Sequence, residues 1–163
     1  LHLFDPQGRE KVFQGALDPH TSVGKGWLRA SRRELDPARS RPYRPFHAHT
    51  RDLPLEPGRP VELDVEIWPT SIVVPAAWRS GLSVQGRDHE YEGPASELSN
   101  VKNPMKGCGP FLHDDPQDRP LSVFGGQTTL HASENMVPYL LVPFIPPARG
   151  PGKDTRKRAA PAI

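Results

Sequence analysis

Between positions 61 and 68 the chain alternates: Val61, Leu63, Val65 and Ile67 are apolar, while Glu62, Asp64 and Glu66 between them are acidic. A period of two sends the two sets to opposite faces of an extended segment, and a helix would scatter both around its axis. The spacing therefore predicts a strand with one buried and one acidic face. Pro69-Thr70 closes it. Shorter apolar runs at 72–74 and 78–85, split by Pro75-Ala76-Ala77, predict two further strands. Residues 127–131 and 139–144 predict a last pair, with Pro143 and Pro146 placed where a strand ends, because proline cannot donate to a ladder. At the start, 1–4 reads as the end of a strand and Asp5-Pro6-Gln7-Gly8 as a turn, since Asp and Pro open such turns and Gly supplies positive φ. Residues 11–14 are the return strand of that hairpin. A weaker alternation at 26–31 places Trp27 and Arg29 on one face.

Punctuation dominates the rest. From 35 to 60 the chain carries Pro37, Pro42, Pro45, Pro54, Pro57, Gly58 and Pro60, and no apolar period survives, so a long crossing loop is predicted. Residues 86–120 read the same way. With 21 prolines and 14 glycines among 163 residues, long helices have little room, because proline lacks the N–H and clashes with the preceding turn. The class expected is all-β: a jelly-roll (galactose-binding-like) β-sandwich with long Pro-rich loops and a thin core, and no internal repeat.

Charge changes the picture only at the end. The net charge is +2, but Arg149, Lys153, Arg156, Lys157 and Arg158 stand against Asp154 alone in the tail, which leaves the body slightly acidic. The domain is therefore expected over 1–147, followed by a basic disordered tail over 148–163. A nucleic-acid partner would need a basic face on the folded part, and none is expected. A single cysteine, Cys108, excludes an intrachain disulfide and fits a reducing, cytoplasmic setting. No run of about 18 apolar residues occurs, so no membrane span is expected.

Candidate chemistry is sparse. A hydrolase elbow needs Gly-x-Ser-x-Gly on a strand-to-helix turn; Gly81-Leu82-Ser83-Val84-Gln85-Gly86 carries its second glycine one residue late, and Ser83 falls inside a strand pattern. Cys108 has Lys106 nearby, which would favour a thiolate, yet a small loop cysteine is the simpler reading. His47-x-His49 with Asp52, or His113-Asp114-Asp115, offers metal-type ligands without the spacing of a zinc helix or a calcium loop. Neither a metal centre nor a cofactor is expected, and no catalytic residue is assigned. Trp27, Trp68, Trp78, Tyr43, Phe46 and Tyr91 would suit a sugar-binding face or, equally, a core or docking surface.

Taken in order, several blocks carry a resemblance: Phe4-Asp5-Pro6-x-Gly8; Val12-Phe13-Gln14-Gly15-Ala16-Leu17-Asp18-Pro19-His20; Gly26-Trp27-Leu28-Arg29-Ala30-Ser31; Leu35-Asp36-Pro37; Pro42-Tyr43-Arg44-Pro45; His47-x-His49; Leu63-Asp64-Val65-Glu66-Ile67-Trp68-Pro69-Thr70-Ser71; Gly109-Pro110-Phe111-Leu112-His113; and Thr128-Thr129-Leu130-His131. Together, with the closing Tyr139 to Pro146 text, they resemble the C-terminal domain of X-prolyl dipeptidyl-peptidase and cocaine-esterase-like serine hydrolases. The resemblance implies a jelly roll packed against an α/β-hydrolase catalytic domain that holds the whole Ser-Asp-His triad. It implies dipeptidyl-peptidase or ester hydrolysis for the parent and an inactive domain here, N-terminally incomplete because the match opens at a strand end. Trp27, Arg44, Phe46, His47 and His49 are the residues expected at the interface with the catalytic domain. The alternative is a free-standing carbohydrate-binding or interaction module. The chain departs from the family text at Ala76-Ala77, where Pro-Ala-Gly is usual, and at 132–138; an alanine resists the tight turn that glycine allows.

Overall fold

A computed structural model of the chain describes residues 1–97, 99, 100 and 102–146. These fall into two units, Leu1–His131 and one that begins at Ala132. The basic tail expected over 148–163 lies outside the described residues.

The opening hairpin forms as the turn chemistry requires. Strand β1 (His2–Phe4) leads into the turn at 5–8. There Asp5 Oδ1 accepts from the N–H groups of Gln7 (3.0 Å) and Arg9 (2.9 Å), and the Gly8 N–H donates to the Asp5 carbonyl (2.9 Å). Gly8 sits at φ +81°, a region that a Cβ would strain. The chain then returns along β1, with Phe4 bridged to Glu10 and the Lys11 N–H on the Leu3 carbonyl at 2.7 Å. A second reversal pairs Phe13 with Thr21 through two backbone bonds of 2.7 and 2.9 Å.

The other edge of β1 pairs antiparallel with β2 (Arg79–Gly81), in the register His2↔Gly81, Leu3↔Ser80, Phe4↔Arg79. This two-stranded sheet is the regular β structure among the described residues. Helical content among the described residues is one 3₁₀ turn, Ala30–Arg32, and one helical turn, α1 (Leu121–Phe124). The architecture is thus mostly non-helical, built from a small antiparallel sheet and ordered loops.

Other predicted strands differ. Residues 26–31 end in the 3₁₀ turn, and 72–74, 127–131 and 139–144 form no ladder. Residues 61–68 do not sort into a buried and a solvent face: Leu63 is 41% and Val65 45% exposed. Alternation specifies a surface that wants covering, and no described segment covers this one. The segment is nevertheless docked along 24–26. The Trp68 N–H donates to the Lys25 carbonyl at 2.9 Å, and a Cβ on Gly26 would run into the Glu66 carbonyl oxygen.

Among the described residues the apolar side chains of Leu3 and Val12 are buried, and Pro19 is fully so. The centre of the first unit is instead held by buried polar anchors. Asp18 is the clearest: Oδ1 accepts from the His20 N–H (2.9 Å), and Oδ2 from the N–H groups of Gly107 and Gly109 (2.8 Å each). A buried carboxylate is tolerable only with such partners. These bonds tie a loop some 90 residues downstream to the second reversal, assisted by His20 Nδ1 on the Met105 carbonyl and Lys25 Nζ on that of Gly107.

Candidate functional site

The long loop expected from 35 to 60 is more ordered than its punctuation suggests. Residues 34–48 fold back on themselves. The Asp36 N–H donates to the Phe46 carbonyl (2.8 Å), the Ala48 N–H to that of Glu34 (2.9 Å), and Arg41 and Arg44 exchange two backbone bonds of 2.9 Å around Pro42 and Tyr43. Asp36 Oδ1 caps the turn at Ala38 and Arg39. The base is clamped by Glu34, which accepts from Arg51 at 2.9 and 2.5 Å and from Thr50 at 3.3 Å. The Arg51 guanidinium holds the Glu34 carboxyl below its ordinary pKa. Arg33 fixes the loop to the 3₁₀ turn through the carbonyls of Ala30 and Leu53.

Four of the five residues expected at a docking face lie on this loop. Arg44 stands exposed at its tip. The Phe46 ring carries the Arg39 guanidinium 3.7 Å above its centroid, a cation–π contact. His47 bridges Leu35 and faces His49 with ring centroids 6.0 Å apart. His49 takes φ +54°, and His47 Nε2 is buried without a hydrogen-bond partner.

Trp27 belongs to a different cluster. Its ring meets Trp68 edge-on at 5.6 Å and His113 at 5.9 Å, with Lys25 Nζ 5.9 Å from its centroid. Its indole N–H donates to Asp88 Oδ1 at 2.7 Å, and the His113 N–H donates to Asp88 Oδ2 at 2.6 Å. Burial alone would raise the Asp88 pKa; the bonds from His113 and Trp27 outweigh it and hold the carboxyl below its ordinary value. Trp27 and Trp68 remain 44% and 66% exposed, so the pair presents an aromatic face rather than filling a core.

The residues considered for catalysis are placed as follows. Cys108 is half-buried, with its thiol on the His89 carbonyl at 2.7 Å. Burial pushes its pKa up, the opposite of what a thiolate nucleophile requires. Ser83 is exposed, and its Oγ meets His2 Nε2 at 2.7 Å, while His2 Nδ1 meets Glu10 Oε1 at 2.6 Å. This carboxylate–imidazole–hydroxyl order is that of a hydrolase triad. The strand-to-helix turn that aims an elbow serine is missing, because no helix follows β2 among the described residues until Leu121–Phe124. His89 completes the cluster. Its ring meets that of His2 edge-on at 4.7 Å, and its Nδ1 lies 3.1 Å from Gln85 Nε2. Burial first, then neighbouring His2, holds its pKa below the ordinary histidine value. Sequence reading passed over His2, Glu10, Asp88 and His89. They come from β1, its return segment and the loop after β2, and no local spacing relates them.

The geometry describes a loop-rich β domain whose ordered features are anchors and exposed aromatic faces. The chain belongs to the family of X-Pro dipeptidyl-peptidase C-terminal non-catalytic domains, which matches residues 1–131. That stretch is also the first unit, Leu1–His131. No curated protein and no solved structure matches the chain. A C-terminal non-catalytic domain implies a catalytic domain in the parent protein. Among the described residues, no helix is long and apolar enough to cross a membrane.

Proposed function

We propose that this chain is the accessory C-terminal domain of an X-Pro dipeptidyl-peptidase or acyl-esterase-like serine hydrolase. In this reading it packs as a jelly-roll element on an α/β-hydrolase catalytic domain and walls part of its cleft. The family match over 1–131 carries the proposal. The surface supports it: Leu63, Val65, Trp68, Val73, Val74 and Leu82, close in sequence, are all exposed large apolar side chains, of the kind that a partner covers. Large aromatics and arginine, as at Trp27 and Arg44, are the side chains enriched where one domain desolvates another. The parent's reaction is then hydrolysis of X-Pro peptides or simple esters, its triad supplied entirely by the catalytic domain. The single cysteine fits a cytoplasmic setting for it.

A second reading, a carbohydrate-binding module, draws on the exposed Trp27–Trp68 pair beside Asp88. One experiment separates the two. The parent's catalytic domain, added in trans, is expected to raise the melting temperature of this chain by mass action, and Trp27→Ala with Arg44→Ala to weaken that effect. No shift with the catalytic domain, together with a shift from oligosaccharides that Trp68→Ala abolishes, would move the assignment to the module.

A further inference from the structure

We propose that His2, Glu10 and His89 form a binding site for one divalent transition-metal ion of the zinc class, a metal centre that ties β1, its return segment and the loop after β2 together. One ligand atom from each of the three residues lies within 4.8 Å of the other two. A tetrahedral ion with bonds of about 2.0–2.1 Å holds its ligand atoms roughly 3.3 Å apart, so a modest side-chain adjustment closes the set. Two imidazoles and one carboxylate suit zinc, cobalt, nickel or iron(II), and disfavour magnesium and calcium, which take oxygen.

The surrounding hydrogen bonds point the same way. His2 is buried, and the Glu10 side chain is only 16% exposed. The contact of 2.6 Å between His2 Nδ1 and Glu10 Oε1 holds a proton between them; a metal ion takes that proton's place and the proton passes to Nε2, so that the imidazole stays neutral. His2 Nε2–H is then free to donate to Ser83 Oγ, 2.7 Å away. At His89 the Nε2 atom is buried without a partner. With the Gln85 amide turned so that its oxygen faces Nδ1, His89 keeps its proton on Nδ1 and offers the Nε2 lone pair to the ion. Both imidazoles would then donate their second ring nitrogen to an outer partner, the usual arrangement around ligating histidines. The triad-like order of Ser83, His2 and Glu10 becomes a metal shell, with Ser83 as its outer support. The site departs from the absence of a metal expected on sequence grounds, where His47, His49, Asp52 and the residues near His113 are the metal-type ligands on offer. A metal here would also supply stability to a unit with few buried apolar side chains.

The test uses the full 163-residue chain, stripped with chelator and titrated with Zn2+ and, separately, Co2+. Calorimetry is expected to show one ion per chain, with a rise in melting temperature that chelator reverses. X-ray absorption of the Zn2+-loaded chain is expected to show two imidazole nitrogens. His89→Gln and Glu10→Gln should abolish one-to-one binding, and Ser83→Ala should weaken it by about 10- to 100-fold. His47→Gln and His49→Gln should leave it unchanged. No saturable binding, fewer than two imidazoles on the wild-type chain, or binding lost only in the His47 and His49 variants would overturn the proposal. The absorption measurement decides the matter even if a substituted chain fails to fold.

Discussion

At the residue scale, Ala77 is a position where sequence and backbone disagree. It takes φ +67° as the third residue of the turn that the Trp78 N–H closes on the Pro75 carbonyl at 3.3 Å. That turn position demands positive φ and is normally glycine. An L-residue in this region costs about 1–2 kcal/mol, part of which glycine forfeits through its freer unfolded chain. Ala77→Gly is therefore expected to stabilise the chain by about 0.5–1 kcal/mol, seen as a higher urea midpoint with an unchanged slope. An unchanged or lower midpoint would show that the turn relaxes without the strain. The family resemblance, which places glycine here, makes this position legible in the sequence.

At the scale of elements, the opening hairpin depends on the Asp5 carboxylate. Burial on its own would raise the Asp5 pKa, but the Arg9 backbone and side chain, with the Gln7 N–H, outweigh it and hold the group below its ordinary value. A carboxylate whose folded pKa lies below its unfolded one adds stability that is fully present above about pH 3.9, the unfolded aspartate value. That stability is lost as pH falls through the folded value. Thermal melts followed downward from neutral pH are therefore expected to show a loss of stability in this acid range. Asp5→Asn should flatten that part of the profile, since an amide has no charge to lose. A variant whose acid profile matches the wild type would place the sensitivity elsewhere. The same element logic explains why Asp18-Pro19 is central: a buried carboxylate gripping two glycine N–H groups does the work that apolar packing does in a larger core.

At the scale of the molecule, the described surface is rich in apolar side chains and the interior is held by polar anchors. A surface of this kind fits the accessory role proposed above, in which a partner covers it. The chain alone is expected to leave p-nitrophenyl acetate and X-Pro p-nitroanilides unhydrolysed above the buffer rate. The hydroxyl–imidazole–carboxylate chain Ser83–His2–Glu10 makes this a strict test. Turnover abolished by Ser83→Ala would assign it the role of a catalytic triad.

Local chemistry determined much by itself. The turn at 5–8, the positive φ of Gly8, the strand before that turn, and a strand within 78–85, realised only at 79–81, follow from residue types whose preferences act over a few positions. Ordered blocks of text were enough to indicate the family that the match over 1–131 then established. Tertiary structure decided the rest. Alternation at 61–68 specifies a face but not what covers it, so Leu63 and Val65 could be read as buried while they stand exposed. Proline spacing at 35–60 reads as loop, yet backbone pairs between 34 and 48 depend on contacts that no period encodes. The meeting of His2 and Glu10 with His89, and of Asp18 with Gly107 and Gly109, joins residues up to 91 positions apart. Such encounters are set by how the chain folds back on itself, because a side chain's reach is a few ångströms and its sequence neighbours say nothing about who arrives there.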